Sequence, residues 1–291
     1  MKPLRARLQE ARKRFGVPWE VLERDYLLSW ILAGISQVEN LSKSIVFKGG
    51  TALKKCYFGT YRFSEDLDFS AIENVPRGVA MEKAMQKACE IAKQLMDPYT
   101  PIELVCSRHE ERKAHPGSQE AFDIRARFPW QHEPLTNVMV EIAVDEPILK
   151  PHVERAVIHE YGEVIEAKFL VYALEEMLSE KLRGILQQQK LFQKRGWVRS
   201  RARDYYDLWR ILGELRDQLD LAGFIEFLNK KCAVRSVNFT GHADFFPEAM
   251  LAEIERTWEQ WLGPLVPNLP SFNRVVTDLR PLIQDLIQVK P

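Results

Sequence analysis

The sequence predicts an α+β protein, with a sheet-forming part over residues 1–165 and a helical part over residues 166–291. Three observations carry this. The apolar run Ile45-Val46-Phe47-Lys48 ends at Gly49-Gly50 and gives way to a helix start at Thr51, where glycine permits a turn that residues with a Cβ resist. Val138, Val140, Ile142 and Val144 alternate with Met139, Glu141, Ala143 and Asp145, the period of a strand with one buried face. Beyond Pro147 and Pro151 the apolar residues change to helical spacing, as in Leu174, Met177, Leu178, Leu182 and Ile185.

The remaining elements follow in order. Trp19, Leu22, Tyr26, Leu27, Trp30, Ile31, Ile35 and Val38 predict a packing helix over residues 19–41, behind Pro18. After the strand at 45–48, a second strand over residues 61–70 carries Ser64, Asp66 and Asp68 on one face and Leu67 and Phe69 on the other. A loop at 74–78 leads to a helix over 79–96, marked by Met81, Met85, Ala88 and Ala92 and stopped by Pro98 and Pro101. Residues 102–106 and 122–128 read as an antiparallel pair separated by a polar stretch at 107–120. In the helical part, a helix begins at Arg203-Asp204-Tyr205-Tyr206-Asp207-Leu208-Trp209, and further helices carry Phe224, Leu228, Ile254, Trp258, Leu279 and Ile283.

Composition narrows the function classes. The 291 residues suit one large domain or two ordinary ones, and 46% hydrophobic residues provide for real cores. Lys+Arg and Asp+Glu are balanced at 41 each, so attraction to nucleic acid must come from local patches. Cys56, Cys89, Cys106 and Cys232 are scattered without ligand spacing, which reads as the reduced thiols of a cytoplasmic protein and argues against zinc. No apolar run approaches the roughly 20 residues of a membrane span, and the first residues lack a signal-peptide core. The histidines, His109, His115, His132, His152, His159 and His242, form no metal pattern.

Chemistry concentrates at a few positions. Two carboxylates on one strand face, Asp66 and Asp68, repel unless a cation joins them, and Mg²⁺ (or Mn²⁺) prefers carboxylate oxygens together with substrate phosphates. Gly49, Gly50 and Thr51 offer a backbone that can approach phosphate closely at a helix start. Glu141 interrupts an apolar strand and, with the two aspartates upstream, is a candidate third carboxylate; taken without them, it reads as an edge-strand residue in water. Lys181 falls within an apolar stripe and calls for an anion, unless its ammonium snorkels to water. Asp204 lies on the side of Leu208, Ile211 and Leu215, though an aspartate in a first helical turn is also ordinary. Arg183, Lys190, Lys194, Arg195, Arg199, Arg201 and Arg203, with Trp197 among them, form a basic stripe that suits an RNA backbone or a solvated face.

Lys48-Gly49-Gly50-Thr51-Ala52-Leu53, Arg62-Phe63-Ser64-Glu65-Asp66-Leu67-Asp68-Phe69, Glu180-Lys181-Leu182-Arg183 and Arg203-Asp204-Tyr205-Tyr206-Asp207-Leu208 closely resemble, in this order, the motifs of the AbiEii/AbiGii (MenT-like) nucleotidyltransferase toxins. The resemblance spans residues 20–215 and implies a polymerase-β-like core with an appended helical region. It also implies that Asp66 and Asp68 hold Mg²⁺ on an NTP and that Gly49, Gly50 and Thr51 cradle its phosphates. Lys181 and Asp204 would complete the site, and Lys48, Arg62 and Lys181 would carry phosphate charge. Aspartate is usual where Glu141 would activate the attacking hydroxyl. The implied reaction is in-line attack on the α-phosphorus, with the 3′ end of tRNA as acceptor and a cognate antitoxin as partner. A phosphate on Ser64 would add negative charge beside the metal. A protein acceptor, or a non-catalytic NTP-binding module, are the alternatives.

Overall fold

Two long helices open the chain, α1 (Leu4–Phe15) and α2 (Trp19–Ser36), the second starting directly after Pro18. The computed structural model describes residues 1–109, 119–196 and 200–288. These divide into two units, Met1–Tyr172 and Ala173–Pro291. In the first, α2 is buried on nearly every side, Glu23 and Asp25 included, so it is a central helix and not one with a single packed stripe. It ends at Ser36, short of the expected residue 41, because Val38 adopts an extended conformation before the brief helix α3 (Glu39–Ser42).

β1 (Ile45–Lys48) runs into α4 (Gly49–Ala52), which continues as a π-helical turn over Leu53–Phe58. Then come β2 (Leu67–Ala71), α5 (Val79–Met96), β3 (Glu103–Arg108), β4 (Gln119–Arg127), β5 (Thr136–Ala143), β6 (Val153–Ala156) and β7 (Lys168–Val171). The strands form one mixed sheet in the order β3-β4-β5-β2-β1-β7-β6. β1 is antiparallel to β2 and parallel to β7, β2 is parallel to β5, and the outer pairs are antiparallel. Phe47, Leu67, Phe69, Phe122, Ile124, Val138, Val140 and Ile142 are fully buried. Their strand parity assigns them to the face opposite Asp68, and α2 and α5 pack together beside the sheet.

The expected strand at 61–70 begins only at Leu67. Upstream, backbone carbonyls are satisfied by side chains instead of a neighbouring strand: Arg62 Nη1 donates to the Phe63 carbonyl at 3.2 Å, and the Thr51 hydroxyl donates to that of Asp66. β6 and β7, four residues each, are strands that the sequence does not predict. The hairpin β3–β4 and the helix at 79–96 form as expected.

The second unit consists of α6 (Leu174–Arg195), α7 (Ala202–Glu214), α8 (Phe224–Val234), α9 (Glu248–Leu262) and α10 (Phe272–Gln288), with short single turns between some of them. Leu178, Leu182, Ile185, Leu208, Ile211, Leu228, Leu262, Leu279 and Ile283 are buried in it. No helix among the described residues is long and apolar enough to cross a membrane. All four cysteines are free thiols.

Candidate active site

Lys48, Asp68 and Glu141 stand in one row across three adjacent strands. The antiparallel register sets Lys48 opposite Asp68, and the parallel register sets Asp68 beside Glu141. Register partners project to the same face of a sheet, so the row lies on the face away from Phe69 and Val140. Asp66 occupies the position just before β2. Glu141 is half-buried and accepts a hydrogen bond from Gln119 Nε2 at 3.5 Å. Lys48 Nζ lies 5.5 Å from the centre of the Tyr172 ring, whose hydroxyl pairs with Ser70 Oγ at 2.6 Å.

The Gly-Gly turn closes against this row. Gly49 has a φ of 79°, in the left-handed region that favours glycine, and a Cβ there would stand only 3.2 Å from Asp68 Cγ. A Cβ on Gly50 would stand 2.9 Å from Arg62 Cζ. The two glycines therefore make room for a carboxylate and a guanidinium respectively. Thr51 is fully buried, and its bond to the Asp66 carbonyl ties the helix start to the aspartate segment. Arg62 and Ser64 are also buried, so a phosphate on Ser64 would require the 62–66 segment to open.

These residues fit a divalent ion of the Mg²⁺ type. Among the described residues no group of three or more His, Cys, Asp or Glu could hold a metal by side chains alone. Mg²⁺ does not require one: it is commonly bound by one or two carboxylates, with waters and substrate phosphates completing the shell. Asp68 offers one such carboxylate, and the absent side chain of Gly49 leaves space beside it.

In the second unit Lys181 is an anchored cation. Its Nζ lies 2.5 Å from Asp207 Oδ2 and 3.3 Å from Asp204 Oδ1, and the Asp207 side chain is wholly buried. The anion that its position on the apolar stripe called for is thus supplied by α7. Asp207 was missed as a functional candidate, although its i, i+3 spacing from Asp204 places both on one helix face. The basic stripe divides by environment. Lys190, Lys194 and Arg195 are exposed, Arg201 and Arg203 are half-buried, and Arg183 is buried with Nη1 on the Lys231 carbonyl at 3.4 Å. Trp197 and Arg199 lie outside the described residues, as does His115.

The family described as "Nucleotidyl transferase AbiEii toxin, Type IV TA system" matches residues 30–286. The chain belongs to this family. An AbiEii protein is a nucleotidyltransferase and the toxin of a type IV toxin–antitoxin system, so both the resemblance read from the motifs and the transferase activity it implied hold. Among solved structures the chain is similar to MenT4, a nucleotidyltransferase toxin from Mycobacterium tuberculosis H37Rv. The TM-score is 0.62 at 21% identity, over 94% of this chain and 85% of that one. The expected α+β nucleotidyltransferase fold is therefore present in this AbiEii protein. Comparison with curated protein sequences gives no match.

Proposed function

We propose that this AbiEii toxin transfers a nucleotidyl group from an NTP to an RNA acceptor, the 3′ end of tRNA, in a Mg²⁺-dependent reaction in the cytoplasm. The observation that supports it most is Asp68 flanked in register by Lys48 and Glu141, against the Gly49-Gly50 turn. Asp66 and Asp68 would hold the ion, Mg²⁺ or Mn²⁺. Bound there, it would supply positive charge against the triphosphate and the departing pyrophosphate.

The chain's own residues supply the rest. The Gly49-Gly50 backbone admits the phosphates, while Thr51 fixes that turn to the aspartate segment. Lys48 and Arg62 lend positive charge, Arg62 from behind Gly50. Glu141 takes the proton of the attacking hydroxyl as that oxygen forms its bond to the α-phosphorus and pyrophosphate leaves. Lys181 and Asp204 serve the same reaction. Lys190, Lys194 and Arg195, the exposed cations of α6, favour an acceptor with a phosphate backbone.

The test incubates the protein with Mg²⁺, each labelled NTP in turn, and either tRNA or total cell protein, beside the double variant Asp66→Ala/Asp68→Ala. Label in tRNA that vanishes in the variant is expected. Label in protein would replace the RNA acceptor with a protein one, and tight NTP binding with no label would leave a binding module.

A further inference from the structure

Asp204 is gripped by both of its carboxylate oxygens. Lys181 Nζ meets Oδ1 at 3.3 Å, and Arg201 Nη1 donates to Oδ2 at 3.0 Å. Arg201 is itself held, since Nη2 donates to Gln188 Oε1 at 3.2 Å. Gly184 makes the space. It lies three residues after Lys181 and four before Gln188, hence on the same face of α6, and a Cβ there would stand 3.3 Å from Arg201 Nη1 and 3.7 Å from Asp204 Oδ2.

In the sequence Arg201 is one more cation in a basic stripe. In the structure its guanidinium is turned onto Asp204 and Gln188 with the side chain half-buried, whereas Lys190, Lys194 and Arg195 are exposed. A single lysine contact leaves a carboxylate able to turn about its last bond. A second, planar donor on the other oxygen fixes its plane, and the fork of an arginine is suited to span a carboxylate and an amide together.

We propose that Arg201 is a positioning residue: it sets the plane of the Asp204 carboxylate against Lys181 and takes no part in gripping RNA. This rests on the reading that Lys181 and Asp204 serve the transfer. Gln188 and Gly184 form the seat that holds Arg201 in that attitude.

The experiment measures kcat and KM for NTP and for tRNA in the full chain, for Arg201→Ala, Arg201→Lys, Asp204→Asn and the double variant Arg201→Ala/Asp204→Asn. Arg201→Ala is expected to lower kcat by about tenfold or more, the equivalent of one charge-assisted hydrogen bond, with KM for tRNA and its salt dependence unchanged. Arg201→Lys recovers part of the loss. In the Asp204→Asn background, Arg201→Ala adds nothing, since a residue acting through Asp204 has no further effect once Asp204 is disabled. Gln188→Ala loosens Arg201 without removing it and should lower kcat by a smaller factor, which covers the case in which Arg201→Ala does not fold. A raised KM for tRNA with kcat intact, or losses in the double variant that multiply, would overturn the proposal alone. Full activity in Asp204→Asn would overturn the underlying reading of the site, and the proposal with it.

Discussion

Glu141 is the register partner of Asp68 on the neighbouring parallel strand, so the two carboxylates share one face of the sheet. A glutamate that merely faced water from that strand could be replaced at no cost to the chemistry. As the proton acceptor, it would contribute on the order of 10²–10⁴ in rate. Glu141→Gln is therefore expected to lower kcat by about 10²-fold with KM for NTP and the melting temperature nearly unchanged. Initial-rate measurements over NTP concentration decide this, and an undiminished kcat would return Glu141 to the role of a solvated strand residue.

Gly49 and Gly50 answer to different neighbours, which makes alanine substitution informative at each. Gly49→Ala sets a Cβ 3.2 Å from Asp68 Cγ at a φ of 79°, a left-handed conformation that costs an L-residue about 1–2 kcal/mol. Gly50→Ala sets a Cβ 2.9 Å from Arg62 Cζ, and Arg62 is buried and cannot swing clear. Both variants should bind NTP more weakly, with Gly49→Ala also weakening the dependence on added Mg²⁺. Calorimetric titration of NTP, with thermal melts as controls, tests this. Unaltered affinity in both would remove the turn from the phosphate site.

Local spacing made much of this site legible. The glycine turn, the two aspartates and Glu141 could all be found because strand alternation and turn chemistry act over a few residues. The register that aligns Lys48, Asp68 and Glu141 could not, because it depends on pairing residues separated by 20 and by 73 positions. The same holds for Asp25 in α2, whose burial no local spacing announces. Its partner Lys55 lies 30 residues away, and the two form a buried ion pair at 2.9 Å. β6 and β7 are as short as β1, but no glycine turn marks the end of either, so four residues alone leave no strand signal.

Asp207 neutralises Lys181 from a position with no access to water, its side chain fully buried at 2.5 Å from the ammonium. Removing one member of a buried pair costs about 3–5 kcal/mol where the other charge is left uncompensated, and Asp204, at 3.3 Å from the ammonium, offsets part of that here. Asp207→Ala should therefore destabilise the protein, and Lys181→Met/Asp207→Ala should destabilise it less than the two single changes added together. Chemical denaturation of the four proteins completes the cycle. Strict additivity would mean that the pair does not interact energetically.

Glu163 is a carboxylate of the first unit held by three partners. It accepts hydrogen bonds from Tyr26 at 2.8 Å and His159 Nε2 at 3.2 Å, and pairs with Arg7. Burial raises its pKa, but the bonds from His159, Arg7 and Tyr26 outweigh that and bring it from 4.5 down to about 2. A carboxyl depressed in the folded state stabilises it above the unfolded value and loses that contribution as pH falls towards the folded one. Burial depresses His159 too, against the pull of Glu163, so acid also works against the fold from 6.5 downward as the unfolded imidazole takes up its proton. Denaturation midpoints measured from pH 7 to pH 2 should fall in both ranges. Glu163→Gln should be less stable at pH 7, because Arg7 loses its counter-charge, and should show a shallower decline between 4.5 and 2 than the unaltered protein. An equal slope in that lower range would show that other carboxylates, and not Glu163, govern the loss.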